Sequence, residues 1–274
     1  QMCIRDSEVT AFNDGWEFKK GPFSDEPMKS ASQWNGNWEK VRIPHTWNAQ
    51  DMQLKTNSFY AGEAYYRKKY HFPREMQGKR VYLRFEGVGS CAEVYVNGYL
   101  VGTHKGAYSA FACEISGQVK YGEDNEIIVK ADNRARPDVI PVNHSLFGVY
   151  GGIYRPVWLV VTEPCNIVVT DYASPGVYIT QKNVSAKSAE VSVKVKLDNA
   201  TLASVPLVLE NAIYDRNGRL VKKQARDVEL TPQGVQSYTT DFSLRNPHLW
   251  QGREDPYLYK VVSVSYTHLR AHET

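Results

Sequence analysis

The histidine whose surroundings most suggest catalysis is His45, in the segment Ile43-Pro-His-Thr-Trp47. Histidine is the usual general base near neutral pH, but a base needs a nucleophile or a carboxylate to act with. No serine, cysteine or carboxylate motif accompanies His45 in the sequence. We therefore predict a hydrogen-bonded structural histidine at a loop-to-strand junction, with contact to a further domain as the alternative.

Arg155 stands in the most distinctive motif of the chain, Tyr150-Gly-Gly-Ile-Tyr-Arg-Pro-Val-Trp158. A guanidinium can bind a carboxylate through two parallel hydrogen bonds. Gly151 and Gly152 are predicted to permit positive φ or a close approach of strands, because glycine has no Cβ. Arg155 therefore either lies beside a ligand site or fixes one domain to another, and we favour the second interpretation.

The cysteines indicate neither a metal site nor a disulfide framework. Cys91, Cys113 and Cys165 form no CxxC pair and have no histidines at zinc spacing. We expect all three to be buried thiols.

The composition is that of an ordinary globular protein, with 274 residues, 33 basic and 30 acidic side chains and a formal charge of +3. Charges of both signs are scattered, so the basic stripe that nucleic acid requires is missing. No apolar run approaches the roughly 20 residues that cross a bilayer. We predict no nucleic-acid partner and no membrane insertion.

Strand signals dominate the chain, as short runs rich in Val, Ile, Tyr and Phe between Gly, Asn, Asp and Pro. Asn97-Gly98 is the pair that a type I′ hairpin turn prefers. With Pro164 as a boundary, residues 8–163 fit a two-sheet jelly roll and residues 164–263 an immunoglobulin-like sandwich. The predicted fold class is all-β.

The two ends are predicted to be foreign to the natural protein. One coding of residues 1–7 has a reverse complement that encodes Val264-Ser-Tyr-Thr-His268, and both stretches look like translated sequencing adapter. We therefore expect tails at residues 1–7 and 264–274 on a truncated metagenomic fragment. This truncation leaves the compartment open, with a bacterial periplasm and cytoplasm as the alternatives.

Several stretches of the first unit resemble the sugar-binding N-terminal domain of glycoside hydrolase family 2, which includes β-galactosidase, β-glucuronidase and β-mannosidase. These stretches occur in the family's order and are Asn13-Asp-Gly-Trp16, Trp38 to Trp47, Tyr65-Tyr-Arg-Lys, Phe85-Glu-Gly-Val88, Val94-Tyr-Val-Asn-Gly98, Val101 to Gly106, Asn125 to Asn133 and Tyr150 to Trp158. The second unit resembles the family's immunoglobulin-like domain, including its closing segment around Asn246-Pro-His-Leu-Trp250. The resemblance implies a galactose-binding-like jelly roll followed by an immunoglobulin-like sandwich.

The same resemblance implies that the catalytic unit, a (β/α)₈ barrel, is missing from this chain. Retaining glycoside hydrolysis needs two carboxylates about 5 Å apart. The sequence shows no strand-helix alternation and no pair of glutamates at strand ends, so we predict no catalytic residue here. The leading hypothesis is the non-catalytic N-terminal portion of a β-galactosidase-like retaining hydrolase.

The resemblance also suggests substrate-binding candidates. The loop that begins at Asn48 corresponds to a family loop reaching toward the active site, and Asn48, Asp51 and Tyr60 are candidates there, with an ordinary solvated loop as the alternative. Galactosidase-like relatives often carry an acid before the Arg155 motif, but Asn143-His-Ser-Leu-Phe147 has none. Asn143 or His144 could replace it as a hydrogen-bonding group, and Arg155 would lie nearby.

The tryptophans could stack on sugar rings, but most lie within framework motifs. We predict core packing for four of them, which are Trp16, Trp38, Trp47 and Trp158. Trp34 is the candidate for exposure, and Trp250 is expected to anchor the last strand of the second unit.

Two rival functions remain open. A free-standing carbohydrate-binding module would need an exposed aromatic platform around Trp34 or Tyr60. A structural adhesin has no reason to carry the Arg155 motif. For the leading hypothesis, the resemblance implies a β-glycoside substrate, no organic cofactor and a homo-oligomeric whole enzyme, and it leaves room for a structural Mg²⁺ or Na⁺ there. This chain itself is predicted to hold no metal.

Overall fold

The computed structural model describes residues 7–21, 37–51, 58–140 and 148–266. These residues form seventeen strands and a short 3₁₀ turn at Arg74–Met76, without an α-helix among them. The all-β prediction is therefore confirmed. The polypeptide divides into two compact units, one of which is Glu8–Val161, while the other begins at Thr162.

The first unit consists of two sheets. Its strands are β1 (Ser7–Ala11), β2 (Trp16–Lys20), β3 (Glu39–Val41), β4 (Glu63–His71), β5 (Arg80–Phe85), β6 (Cys91–Val96), β7 (Tyr99–Lys105), β8 (Phe111–Glu114), β9 (Asp124–Asp132) and β10 (Val157–Thr162). Six strands form one sheet in the order β3-β2-β4-β9-β6-β7, and four form the other in the order β1-β10-β5-β8. This is the two-sheet arrangement of a jelly roll.

The core of the first unit lies between these sheets. Alternate residues of a strand point to opposite faces, so one face of each strand can contribute to a shared core. Tyr66, Val94 and Val129 are fully buried on the six-stranded sheet, and Phe85 and Leu159 are buried on the four-stranded sheet. Their packing supplies the rigid body from which the loops of the site extend.

The tryptophans divide between this core and the outer faces. Trp16 and Trp47 are buried, which confirms the prediction for them. Trp38 is only half-buried, because it joins Tyr65 and Ile128 in a small cluster apart from the main core. Trp158 is also half-buried, and its indole N–H donates to Glu86 at 2.8 Å. Core packing is therefore wrong for these last two.

The hairpin between β6 and β7 has the predicted turn. Asn97 and Gly98 have φ of 51° and 84°, as a type I′ turn requires. The Asn97 side chain also donates to the Gln118 carbonyl at 2.7 Å, so this turn is tied to a neighbouring loop.

The second unit is a sandwich of two antiparallel sheets. Its strands are β11 (Cys165–Ile167), β12 (Val177–Lys182), β13 (Ser188–Asn199), β14 (Val205–Tyr214), β15 (Leu220–Leu230), β16 (Gly234–Arg245) and β17 (Lys260–Tyr266). In one sheet β13 pairs with β11, β12 and β16, and the other sheet has the order β15-β14-β17. The core between them contains Val193, Leu197, Leu209 and Phe242.

A polar group interrupts this second core. Asn211 on β14 is fully buried, and its amide donates to the Thr240 hydroxyl at 2.9 Å. Its carbonyl oxygen accepts from the Ser263 hydroxyl at 2.5 Å. Thr240 belongs to β16 in the opposite sheet, so the amide links the two layers. Each polar atom has a partner, as burial demands.

The closing segment of the second unit corrects one expectation. Trp250 is 63% exposed, so it does not anchor the last strand through burial. The segment is instead braced by His248, whose ring stacks on Tyr257 at 4.0 Å and contacts the Asp255 carboxylate. The backbone N–H of His248 donates to the Tyr259 hydroxyl at 2.9 Å.

The predicted tails lie mostly outside the described residues. Val264, Ser265 and Tyr266 are described, and they continue β17 in register with β14. The thiols differ from expectation, because only Cys113 is buried while Cys91 and Cys165 are half-buried. Within the described ranges, no helix has the length and hydropathy needed to span a membrane.

Candidate functional site

An open pocket of about 580 Å³ lies at one end of the six-stranded sheet. Strands β2 and β3 contribute Lys20 and Glu39 to its wall. The segment after β3 contributes His45 and Asp51, and the segment before β4 contributes Tyr60. The pocket therefore combines an ammonium group, two carboxylates and several hydrogen-bonding groups beside aromatic rings.

The rim of this pocket is formed by small or polar side chains. Ala49, Gln50 and Ser58 line it and are exposed. Trp47 also lines the pocket, but only 6% of it is exposed. It is too deeply buried to offer its ring face to a sugar.

His45 is held by its neighbours. Its Nδ1 lies 2.8 Å from the Tyr66 hydroxyl, and its backbone N–H donates to the Ile153 carbonyl at 2.8 Å. Burial lowers the pKa of the imidazole below its ordinary value of 6.5, with Glu39 opposing and Lys20 adding to the effect. His45 is hydrogen-bonded as predicted, while its alternative contact with a further domain stays a prediction.

Asn48 lies under the pocket wall, fully buried. Its amide nitrogen donates to Asp51 Oδ2 at 2.6 Å and to the Tyr60 carbonyl at 2.9 Å. Its oxygen accepts from the Gly151 backbone N–H at 2.7 Å. Each amide atom is thus engaged within the protein. The observed role of Asn48 is to connect loops, and its predicted contact with substrate stays a prediction.

A second buried amide, Asn133, lies directly beyond Asn48 at the end of β9. Its oxygen accepts from the Gly62 N–H at 2.8 Å. Its nitrogen donates to the Val149 carbonyl at 2.8 Å and, over longer distances of 3.2 and 3.3 Å, to Asn48 Oδ1 and the Tyr60 carbonyl. The two amides together join the segments 47–51, 58–62 and 148–151.

Asp51 presents a carboxylate to the pocket. Oδ2 accepts from Asn48 and from the Tyr60 backbone N–H at 2.9 Å. Desolvation acts to raise the pKa of this carboxyl, but the two hydrogen bonds and the charge of Lys20 hold the pKa below its ordinary value. Asp51 is therefore ionised at neutral pH. Among the described residues no donor reaches Oδ1, which can accept a ligand hydroxyl.

Tyr60 is half-buried and fixed at both ends. Its hydroxyl donates to the Glu63 carbonyl at 3.0 Å, and Lys20 Nζ lies 5.3 Å from its ring centre. Burial and the charge of Glu63 raise the pKa of the phenol. Tyr60 lines the pocket, so a ligand there would meet it together with the Asp51 carboxylate.

The two glycines of the Arg155 motif behave as predicted. A Cβ at Gly151 would lie 1.9 Å from Trp47 Cζ2, so this position requires the close approach that glycine allows. Gly152 has φ of 116°, a left-handed conformation that other residues avoid. Gly152 also forms an isolated bridge with Gly89, through N–H···O bonds of 3.0 and 3.4 Å.

Arg155 is exposed, and its guanidinium lies 5.9 Å from the Tyr154 ring centre. Within the described ranges no carboxylate pairs with it. The guanidinium is therefore accessible, and both predicted roles, beside a sugar site or against another domain, stay predictions. The structure does not bring Arg155 onto the wall of the pocket that Asp51 and Tyr60 line.

Three candidates cannot be placed. Asn143 and His144, proposed to replace a missing acid, and Trp34, proposed as an exposed aromatic residue, lie outside the described residues. Where the chain is described, no group of three or more His, Cys, Asp or Glu side chains could hold a metal ion. The Mg²⁺ or Na⁺ considered for the whole enzyme stays a prediction.

The sequence did not single out Asn133 as a site residue. Its signal was weak, because a polar Asp132-Asn133-Arg134 run at a strand end is common. Its partners Gly62 and Asn48 are 71 and 85 residues away along the chain. Only the folded arrangement shows that its amide meets them.

The pocket is suited to a polyhydroxylated ligand. Sugar hydroxyls both donate and accept, and Asp51, Gln50 and Lys20 together offer both kinds of partner. The network below the wall fixes the shape of the pocket before a ligand arrives, which reduces the ordering cost of binding.

Family comparisons match both units. Residues 10–164 match the model described as "Glycosyl hydrolases family 2, sugar binding domain", and residues 175–267 match the model "Glycosyl hydrolases family 2". A beta-glucuronidase of Bacteroides fragilis is 38% identical over 249 residues, which are 91% of this chain and 34% of that protein. The chain spans about a third of the length of the curated relatives it matches.

Solved structures share the fold. A provisionally named beta-galactosidase from Bacteroides fragilis is 64% identical with a TM-score of 0.89, covering 95% of this chain and 40% of that one. A Bacteroides uniformis beta-glucuronidase is 28% identical with a TM-score of 0.88, covering 96% of this chain and 31% of that one. The similarity extends through both units.

Proposed function

Because the chain belongs to glycosyl hydrolase family 2, we propose that it is the N-terminal, non-catalytic portion of a β-galactosidase-like retaining glycoside hydrolase. The described residues contain strands and loops but no (β/α)₈ barrel. In this proposal the pocket forms one wall of the substrate site, and the two catalytic carboxylates belong to the remainder of the protein.

One observation carries this proposal. The two family matches cover residues 10–164 and 175–267, yet the same chain covers only 34% of the Bacteroides fragilis beta-glucuronidase and 40% of the provisionally named beta-galactosidase. The rest of such a protein is available to supply the catalytic groups. The pocket adds support, because Asp51 offers an ionised oxygen to a sugar hydroxyl.

The proposal also includes the identity of the sugar that the whole protein cleaves. A β-galactoside is supported by the 64% identity to the provisionally named beta-galactosidase, and a β-glucuronide by the 38% identity to a beta-glucuronidase. We favour the galactoside because of the higher identity. A homo-oligomeric whole protein is also proposed, and its mass in solution tests this.

A free-standing carbohydrate-binding module is the second candidate. It requires an exposed aromatic platform, and the hydroxyl and ring of Tyr60 are already held by Glu63 and Lys20. The half-burial of Tyr60 therefore favours a site wall over a stacking platform. Trp34, the other platform candidate, lies outside the described residues.

The first experiment is a long sequencing read of the source DNA across the codons for Glu8 and Ser263. A frame that continues into a strand-helix repeat with two strand-end glutamates supports the proposal. A genomic stop codon directly after Thr274 overturns it and supports the binding module. The 274-residue chain alone is expected to hydrolyse no nitrophenyl glycoside, and turnover abolished by changing one of its own carboxylates contradicts the proposal.

The whole protein then tests the pocket. Asp51→Ala is expected to raise KM for a nitrophenyl β-galactoside about tenfold with a smaller change in kcat, because a ground-state hydrogen bond is lost. Asp124→Ala is the control, since Asp124 is exposed at the opposite end of β9 from Asn133. The ratio of kcat/KM for a nitrophenyl β-galactoside to that for a nitrophenyl β-glucuronide shows which sugar the whole protein prefers.

A further inference from the structure

The contacts of Asn133 converge on one carboxylate. Asp51 Oδ2 receives two hydrogen bonds, one from the Asn48 amide and one from the Tyr60 backbone N–H. Asn133 is hydrogen-bonded to both residues that supply these donors. Its side-chain nitrogen donates to Asn48 Oδ1 at 3.2 Å and to the Tyr60 carbonyl at 3.3 Å. Every described hydrogen bond to Asp51 therefore comes from a residue that Asn133 contacts.

Ordinary secondary structure does not hold these donors in place. Asn48 and Asp51 lie in a turn after β3, and Tyr60 precedes β4 without belonging to it. Loops lack the ladder hydrogen bonds that fix a strand, so side chains must define their shape. Asn133 directly follows β9, which is paired along its length with β4 and β6. It is thus the best-anchored member of the network.

Asn133 is also bonded to the third loop. Its shortest donated bond, 2.8 Å, goes to the Val149 carbonyl. Two residues further along the same segment, the Gly151 N–H donates to Asn48. The segment of the Arg155 motif and the Asp51 loop are therefore fixed to the same point.

From this geometry we infer that Asn133 is a positioning residue of the pocket, which acts through Asn48 and Tyr60 to aim the second carboxylate oxygen of Asp51, Oδ1, at a sugar hydroxyl. The inference rests on the proposed function for its ligand, but the positioning itself is a property of this chain. Asn133 makes no contact with the pocket, and it sets the geometry of a group that does.

The wild-type chain provides a test that does not depend on the stability of a variant. With ¹⁵N-labelled side-chain amides and ¹³C-labelled carboxyls, an NMR titration follows Asp51 and the asparagines together. The Asn48 and Asn133 amide resonances are expected to shift with the same midpoint as the Asp51 carboxyl. The amide of Asn211, buried in the other unit, is the internal control and is expected to stay flat there. An Asn133 resonance that stays flat at that midpoint overturns the inference.

Two variants sharpen the test. Asn48→Ala removes a direct donor to Asp51 and Asn133→Ala removes the support of both donors, so each is expected to shift the Asp51 titration to higher pH. Asn211→Ala is the matched control, because it also deletes a fully buried amide. If Asn133→Ala and Asn211→Ala leave Asp51 equally unchanged, Asn133 has only a structural role.

The enzyme assay separates this inference from the proposed function. In the whole protein, Asn133→Ala is expected to raise KM for the nitrophenyl β-galactoside as Asp51→Ala does, and the double variant is expected to add no further rise. If Asp51→Ala leaves KM unchanged while the titrations remain coupled, the proposed place of the pocket in the substrate site fails and the positioning of Asp51 stands. If Asp51→Ala raises KM but the double variant raises it additively, the positioning role is wrong.

Discussion

Each unit of this chain contains a buried amide cluster, and the two clusters are built from different partners. In the first unit, Asn48 and Asn133 bond mainly to backbone groups of three loops. In the second unit, Asn211 bonds to the hydroxyls of Thr240 and Ser263, which lie on strands. All three asparagines are fully buried.

The difference shows that the neighbours of a buried amide decide what it does. The strands around Asn211 are already fixed by their ladders, so its bond to Thr240 adds only to the match between two sheets, and its bond to Ser263 lies within one sheet. The loops around Asn133 have few regular bonds of their own, so its amide defines their shape. A buried amide thus links two strand layers in the second unit, and it fixes the loops of a pocket in the first.

The largest effect is expected at Gly151, which touches the first cluster. Gly151→Ala would place a methyl group 1.9 Å from Trp47 Cζ2 and is expected to lower the free energy of unfolding of the first unit by about 3 kcal/mol. Urea denaturation monitored by tryptophan fluorescence measures this loss. Gly117→Ala, which meets no atom within 4 Å, is the control and is expected to be neutral. Equal stability of both variants would show that the loops yield easily.

A smaller loss is expected from the second cluster. Asn211→Ala leaves the Thr240 and Ser263 hydroxyls buried without their partner, at a cost of about 2 kcal/mol in the free energy of unfolding of the second unit. The triple variant Asn211→Leu, Thr240→Val and Ser263→Ala is expected to recover part of it, because no polar group then remains unsatisfied. A triple variant less stable than Asn211→Ala would mean that packing, rather than hydrogen bonding, dominates there.

A pH effect from histidine is expected in the first unit. The pKa of His45 is lowered in the fold by burial, so between that value and 6.5 the unfolded chain binds the proton more readily. Stability is complete above pH 6.5 and falls as the pH drops through this window. His45→Gln should flatten the fall measured by denaturation at a series of pH values. Burial also lowers the pKa of His104, which accounts for a residual slope. An unchanged slope in His45→Gln would assign the whole effect to His104.

The smallest effect is expected at Arg155. Its exposed side chain makes no ion pair within the described ranges, so Arg155→Ala should change the free energy of unfolding of this chain by less than about 0.5 kcal/mol. Thermal denaturation measures it. A clear loss of stability would show that Arg155 braces its own unit, contrary to either predicted role.

Much of the fold could be predicted from the sequence because the rules involved are local. Alternating runs such as Arg80–Phe85 became strands, and Asn97-Gly98 became the expected turn. Alternation shows which residues share a face but not whether another layer covers that face. A framework motif has the same limit, and Trp158, predicted to pack in the core because it lies in one, is half-buried.

The site was predicted less completely, for a related reason. Asp51 and Tyr60 do line a common pocket, which their place in one loop suggested. The burial of Asn48 and the role of Asn133 depend on contacts between segments far apart in the chain. No short sequence pattern encodes which of several polar residues will meet a given loop in the folded protein.

The isolated bridge between Gly89 and Gly152 has a consequence for how such proteins diverge. Neither position has room for a side chain, since a Cβ at Gly89 would lie 2.1 Å from the Tyr150 carbonyl oxygen and one at Gly152 would lie 2.4 Å from the Tyr66 hydroxyl. Ala49, Gln50 and Ser58 on the rim are under no such restriction. If the pocket forms a wall of the substrate site as proposed, a lineage can therefore change its ligand preference by exchanging rim residues, while Gly89 and Gly152 stay unchanged.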